Sequence, residues 1–202
     1  MSWSALERRI GRLPRQFYAR PAAEVARELL GMALVHGRCA GRIVEVEAYT
    51  GLDDRAAHAW HGLTNRTRVL FGPPGHAYVY FIYGMYYCLN VVAEPEGRPG
   101  CVLVRALEPL AGLAEMYRRR PGARRVEDLA SGPGKLTLAM GITRRHNGAD
   151  LTAGPLEIRR FLAQPGFSIA VTPRIGIRHD ADRPLRFLIR GSRFVSRQQR
   201  LC

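Results

Sequence analysis

The sequence contains a single lysine, Lys135, although lysine and arginine together account for 31 of its 202 residues. Basic residues exceed acidic ones by 14, which is far more than solubility requires. Such an excess indicates a polyanionic partner, and we expect nucleic acid because no basic amphipathic helix for a membrane surface is evident. A basic surface without a specific ligand is the alternative. In a chain so biased towards arginine, a lone lysine indicates a position where a compact charge fits and a guanidinium fork does not.

The sequence also lacks an apolar run of 18 residues and a charged-then-apolar leader, so it predicts neither a membrane span nor a signal peptide. We therefore expect a cytoplasmic protein, associated with the nucleoid in a bacterium. No Cys-x-x-Cys spacing and no histidine at metal-ligand spacing is present, which argues against zinc and favours reduced, mostly buried thiols at Cys39, Cys88, Cys101 and Cys202. Internal repeats and low-complexity blocks are absent too. A hydrophobic content of 47% allows a sizeable core.

The most informative stretch that is present, residues 76–90, holds five of the eight tyrosines. Alternation with a period of two predicts a strand with Tyr78 and Tyr80 on one face, a turn at Tyr83 and a second strand from Tyr86. Tyrosine combines a large apolar ring with a polar hydroxyl group, so several in one hairpin favour a surface on which bases stack. A hairpin whose tyrosines only pack beneath a sheet is the alternative.

Two carboxylates and an arginine lie in two other predicted strands. Glu45 and Glu47 lie two residues apart in a strand over residues 42–48, so we expect both on one face, with Ile43 beside them. Either they form ordinary salt bridges on a solvent-facing strand, or one is a general base tuned by burial and an arginine. Arg105 lies in a second, otherwise apolar strand, where it is costly to bury unless paired. Glu47 is the natural partner.

A glycine-rich sequence, S-G-P-G-K-L at residues 131–136, opens a predicted helix that continues to Met140. It is not a Walker A loop, because Leu136 stands where serine or threonine must follow the lysine. Free N–H groups at a helix N-terminus can bind one phosphate of a nucleic-acid backbone, and Lys135 would complete that site. An ordinary helix start is the alternative.

The rest of the chain is divided by proline and glycine. Residues 1–20 are basic and irregular and are interpreted as an N-terminal arm, and residues 21–202 as a single domain. Further helices are predicted over residues 22–30, 110–120 and 126–130, and further strands over residues 32–36, 101–107, 156–159, 169–171 and 185–190.

Several blocks in order resemble the alkyladenine (3-methyladenine, methylpurine) DNA glycosylase family. The resemblance extends over about residues 22–195, and the matching blocks are R-I-V-E-V-E-A-Y at 42–49, A-A-H at 56–58, Y-V-Y-F-I-Y-G-M-Y at 78–86, C-V-L-V-R-A-L-E-P at 101–109, S-G-P-G-K-L at 131–136 and P-L-R-F-L-I-R-G at 184–191. It implies an α+β fold, with one domain, a curved and mostly antiparallel sheet, flanking helices and a protruding β-hairpin.

The resemblance implies a monofunctional enzyme that flips alkylated purines out of double-stranded DNA and hydrolyses the N-glycosidic bond, leaving an abasic site. The expected base is 3-methyladenine, with 7-methylguanine and hypoxanthine as further candidates. A monomer without metal or cofactor is implied. A basic nucleic-acid-binding module without catalysis is the alternative, whereas a zinc deaminase is excluded because His-x-Glu and Pro-Cys-x-x-Cys are absent.

The resemblance also assigns roles in the reaction to individual residues. Glu47 would deprotonate the attacking water, and Arg105 would help to hold that water. The flipped purine would lie between Tyr49 and Tyr80, with His58 donating a hydrogen bond.

Four more residues receive roles in the same way. Tyr83 at the hairpin tip would fill the gap that the flipped nucleotide leaves in the stack, with Met85 beside it. Asn90 would lie at the edge of the base pocket, near the 2-substituent of a purine. Glu45 would be structural.

Overall fold

The computed structural model describes residues 2–163 and 166–196, so Cys202 lies outside the described residues. Its four helices are α1 (Trp3–Glu7), α2 (Ala22–Leu29), α3 (Leu113–Arg119) and α4 (Pro133–Met140). Its strands are β1 (Ile10–Arg12), β2 (Ala33–His36), β3 (Cys39–Tyr49), β4 (Ala77–Ile82), β5 (Tyr86–Ala93), β6 (Gly100–Ala111), β7 (Leu156–Phe161), β8 (Ile169–Thr172) and β9 (Arg186–Ile189). Within the described part of the chain, no helix is long and apolar enough to span a bilayer.

The strands form one sheet in the order β1-β7-β2-β3-β6-β5-β4, with β9 paired to β3 and β8 to β9. Every pair of named strands is antiparallel. The α+β class and the mostly antiparallel sheet are therefore confirmed. The hairpin of β4 and β5 is also confirmed, since β4 pairs with β5 from Ala77 opposite Val91 to Ile82 opposite Tyr86.

One face of the central strands builds the main hydrophobic core. Helix α2 packs its apolar side against this face, because Val25, Ala26 and Leu29 recur at helical spacing and are buried. The strands contribute alternate residues to the same core, namely Ala77, Val79, Leu89, Val91, Val102, Val104, Val46 and Ala48. The residues between them point to the opposite face, so a single alternation separates the core from the other side of the sheet.

The structure corrects the expectation of an irregular N-terminal arm over residues 1–20. This segment contains α1 and β1, and β1 pairs with β7 through Ile10 opposite Phe161. Leu6, Leu13 and Tyr18 are buried almost completely. Charged residues separate these apolar side chains, which conceals their periodicity in the sequence, but in the fold the segment is part of the folded body.

Two further expectations are wrong in detail. The helix predicted over residues 110–120 begins only at Leu113, because β6 continues to Ala111 and Gly112 turns the chain with a φ of 75°. Ile43 does not lie beside Glu45 and Glu47 but in the main core with Val46. The reason is a pair of register shifts between Ile43 and Val46, since such bulges reverse the face on which the following residues lie.

Candidate active site

The face of the sheet opposite the main core brings together most of the residues that the sequence singled out. Tyr78, Asn90, Leu103 and Glu47 are directly opposite one another on the four adjacent strands β4, β5, β6 and β3. In the next row, Tyr49 lies opposite Cys101. The alternation within each strand and the register between strands therefore place the Glu47 carboxylate in the same row as Tyr78.

Glu47 has no exposed surface and is held by two hydrogen bonds and one ion pair. The backbone N–H of Ile175 donates to its Oε1 at 2.8 Å, and the Tyr49 hydroxyl group donates to its Oε2 at 3.1 Å. Arg105 Nη1 lies 3.2 Å from the same Oε2. Burial raises the pKa of Glu47, although Arg105 and the two hydrogen bonds oppose the increase. The group is thus a carboxylate that is oriented by its partners and more basic than one in water.

Glu45 is also fully buried, but its oxygens are more heavily bonded. Arg105 Nε donates to Glu45 Oε1 at 2.9 Å, and Arg186 Nε donates to the same atom at 2.7 Å. Ser196 donates from its hydroxyl group to Oε1 and from its backbone N–H to Oε2. Glu45 therefore anchors Arg105 and the segment around Ser196. The interpretation of the two glutamates as solvent-facing is wrong, because neither reaches solvent.

The aromatic residues of this face form a cluster next to Glu47. The rings of Tyr78 and Tyr80 are 5.3 Å apart, and His58 lies edge-on to Tyr80 at 4.6 Å. Tyr49 and Tyr80 are both partly buried at the edge of this cluster. Burial raises the pKa of both tyrosines, with Glu47 adding to the effect at Tyr49 and Cys88 at Tyr80. Both hydroxyl groups therefore stay protonated at neutral pH and remain able to donate.

The hydrogen bonds of His58 fix its protonation state. Arg66 Nη2 lies 3.2 Å from its Nε2, and an arginine can only donate, so Nε2 accepts and Nδ1 carries the proton. Nδ1 in turn lies 3.0 Å from the Tyr78 hydroxyl oxygen. Burial and the charge of Arg66 lower the pKa of His58 to about 4. Its one ring N–H is thus directed at Tyr78, so a bond from this ring to a base would need a shift of the ring or the proton.

The hairpin tip is the most exposed part of this region. Tyr83 and Gly84 both have positive φ values, 52° and 68°, and the Met85 N–H donates to the Ile82 carbonyl at 3.3 Å. This is the two-residue turn that matches the twist of a hairpin, in which a tyrosine is uncommon. Tyr83 is 80% exposed and Met85 61% exposed. Two large apolar side chains that contribute so little to the core are available to a partner.

Lys135 is exposed on α4, which packs against the same hairpin close to its tip. Gly134 packs directly against the Tyr86 ring, and a Cβ at this position would lie 2.8 Å from the ring. The Thr137 hydroxyl group donates to the Tyr87 carbonyl at 2.9 Å. Gly134 therefore permits close contact between α4 and β5, and this contact brings Lys135, the only lysine in the sequence, to the hairpin.

Comparison with known proteins identifies the family. The family model described as methylpurine-DNA glycosylase (MPG) matches residues 16–193. A protein of Methanocella arvoryzae is 53% identical over 92% of this chain and 96% of its own length. Proteins of Methanoculleus marisnigri and Rhodopseudomonas palustris are 53% and 52% identical over 92% of this chain and 99% and 88% of their own lengths. All three carry the name "Putative 3-methyladenine DNA glycosylase".

The chain belongs to the methylpurine-DNA glycosylase family. It is therefore a DNA glycosylase, a hydrolase that acts on DNA in base-excision repair. Family membership accounts for the large positive charge, because a protein that neutralises DNA phosphates needs an excess of arginine or lysine. A binding module without catalysis is then no longer needed to explain the charge, because a DNA glycosylase must bind DNA as well.

Sequence reasoning missed several residues that contact the site of this glycosylase. Ile175 holds Glu47 through its backbone, which no side-chain pattern can indicate. Arg186 lies within the P-L-R-F-L-I-R-G block but received no role, and Ser196 follows that block. Arg174 and Asp54 form a buried ion pair behind Tyr49. An arginine and an aspartate in loops are common, and only their burial distinguishes these two.

Proposed function

We propose that this glycosylase releases alkylated purines from double-stranded DNA by hydrolysis, with Glu47 as the general base. The expected substrates are 3-methyladenine, which the names of the relatives mention, and further 7-methylguanine and hypoxanthine. The observation that carries the proposal is the buried Glu47 carboxylate, which Arg105 and the Ile175 N–H orient at the edge of an aromatic cluster.

The chemistry follows from the properties of this carboxylate. Cleavage of an N-glycosidic bond passes through an oxocarbenium-like sugar, so the enzyme must supply a water that is deprotonated as it attacks. A glutamate whose pKa is raised by burial accepts a proton more readily than one in water. Arg105 keeps the carboxylate in place and can hold the same water. Glu45 anchors Arg105 and has no direct part.

Access to the base requires that the nucleotide leave the stack, because a duplex hides the bond that is cleaved. Tyr83, with Met85 beside it, is the residue that we assign to the gap left in the stack, since its ring is exposed on the two-residue turn at the hairpin tip. The flipped purine would stack between Tyr49 and Tyr80, with His58 and Asn90 at its edges. A cationic alkylated base favours a tyrosine face and is also a good leaving group.

The test of this proposal is incubation of the purified protein with duplexes that each carry one defined lesion, scored for abasic sites. We expect abasic sites at 3-methyladenine and none in an undamaged duplex. Binding of every duplex without any abasic site would instead support a binding module and reject the proposed reaction.

Lys135 provides the first test by substitution. We expect Lys135→Ala to weaken binding to all duplexes alike and to reduce the slope of log affinity against log salt concentration by about one unit, because one phosphate contact is lost. Affinity measured over a series of salt concentrations checks this. Lys135→Arg should restore binding only in part, and an unchanged slope would mean that Lys135 is an ordinary residue of the helix start.

Asn90 provides a test of base selectivity. It lies within β5, where its Nδ2 donates to the Tyr78 carbonyl at 3.1 Å. The proposal that it contacts the 2-substituent of a flipped purine predicts that Asn90→Ser increases the release of 7-methylguanine relative to 3-methyladenine, because a packed side chain can exclude an amino group by contact.

The alternative for Asn90 is a purely structural bond to Tyr78. The loss of that bond lowers stability by about 1 kcal/mol and slows all substrates by a similar factor. Single-turnover rates on the two lesions separate the possibilities, and an unchanged ratio of the rates would reject the pocket role.

A further inference from the structure

A buried ion pair lies behind Tyr49, which the proposed function places in the wall of the base pocket. Asp54 and Arg174 have no exposed side-chain surface, and Arg174 Nη2 donates to Asp54 Oδ1 at 2.9 Å while Nη1 donates to Oδ2. Nη1 also reaches the Ala48 carbonyl at 3.1 Å. The desolvation of a buried pair cancels much of its attraction. Asp54 also accepts from the backbone N–H groups of Thr50 and Ala56. These bonds therefore fix Arg174 in one place beside Tyr49.

The guanidinium group of Arg174 lies over the ring of Tyr49, with its central carbon 4.7 Å from the ring centroid. Arg174 is completely buried, whereas Tyr49 keeps part of its surface exposed. The guanidinium therefore occupies one face of the ring. The proposed function stacks the flipped purine on the opposite face.

We propose that Arg174 is a positioning residue of the base pocket that acts through Tyr49 and weakens the stacking of positively charged purines relative to neutral ones. The inference rests on the proposed stacking of the base on Tyr49. An aromatic face attracts a cation through its quadrupole, and a guanidinium on one face draws on the same electron density and repels a cation on the other. Asp54 neutralises part of this charge, so the effect is modest.

Such a bias has a chemical use. A cationic base such as 7-methylguanine is already a good leaving group, whereas neutral hypoxanthine depends more on the enzyme. A pocket that favours cations strongly would be occupied mostly by lesions whose glycosidic bond already breaks readily without the enzyme. A cation behind Tyr49 evens out the binding of the two kinds of base.

Rates on a single lesion cannot test the inference. The residue after Arg174 is Ile175, whose N–H holds Glu47, so any displacement of Arg174 also slows the reaction on every base. The ratio of rates on a cationic and a neutral lesion cancels this common factor.

The experiment measures single-turnover release of 7-methylguanine and hypoxanthine from otherwise identical duplexes at one pH. Two double variants, Asp54→Asn/Arg174→Gln and Asp54→Asn/Arg174→Met, each remove both charges together, so that no unpaired ion stays buried. The second variant serves as the test if the first does not fold. We expect the ratio of 7-methylguanine to hypoxanthine release to increase about threefold to tenfold in each. Arg174→Lys keeps a cation behind the ring and should leave the ratio within about twofold of the wild type.

An unchanged ratio in a folded double variant would overturn the inference, and so would an equal increase in Arg174→Lys, because the fork geometry and not the charge would then be responsible. In both cases the wild type still releases the bases, so the proposed function stands. Failure of the wild type to release either base would overturn this inference, whereas the proposed function would be overturned only if duplexes with 3-methyladenine also gave no abasic sites.

Discussion

Replacement of Glu47 by glutamine should reduce base release by a factor on the order of 10² to 10⁴, because an amide cannot accept a proton from water. The surroundings of Glu47 add a second effect. The Ile175 N–H donates to one oxygen of the carboxylate and Arg105 Nη1 lies 3.2 Å from the other, so the NH₂ group of the glutamine must face one of these two N–H groups. We therefore expect a loss of stability of about 1–3 kcal/mol as well. Single-turnover rates below the unfolding temperature of the variant measure the catalytic effect alone.

The matched control is Glu45→Gln, which changes the same group two residues away. It disturbs the bonds to Arg105, Arg186 and Ser196 and should lower the unfolding temperature clearly. Its rate in the folded protein should stay within about tenfold of the wild type, because the general base is still present. Excision by Glu47→Gln near the wild-type rate would reject the assignment, and loss of catalysis in Glu45→Gln alone would exchange the two roles.

Tyr83→Ala should weaken capture of the flipped nucleotide by a few kcal/mol, because the gap in the stack stays open and the nucleotide can return. The ring is 80% exposed, so its removal has little effect on the core. Lesions that already pair badly should be affected least. Single-turnover excision from lesion-containing duplexes, compared with excision from single strands of the same sequence, measures the effect.

Two controls separate the loss of the ring from a change in the turn. Tyr83→Phe keeps the ring and should excise like the wild type. Tyr83→Asn removes the ring but tolerates the φ of 52° better than alanine does, so it should behave like Tyr83→Ala if the ring is what matters. Equal damage to duplex and single-strand excision would argue against insertion into the stack.

Much of the fold was predictable because its signals are local. Tyr78 and Tyr80 alternate with apolar residues, and this period of two predicts β4 and the face on which the two tyrosines lie. Helix α2 was predicted in the same way from the spacing of Val25 and Leu29 and the glycine after it. The strand in the N-terminal segment was not predictable, because Ile10 becomes part of a strand only by pairing with β7, which lies about 150 residues further along. The start of α3 was not predictable either, because it depends on how far β6 extends.

The sequence by itself determined which residue types share the sheet face, since alternation places Glu45, Glu47 and Tyr49 on one side of β3. Only the tertiary structure decided how they differ. Glu45 is bonded by Arg186 and Ser196, which are more than 140 residues away, whereas Glu47 is held by the Ile175 backbone. The bulges of β3 and β6 moved Ile43 to the core, and burial raised the pKa of Glu47. Register, bulges and burial depend on distant segments, so no local pattern encodes them.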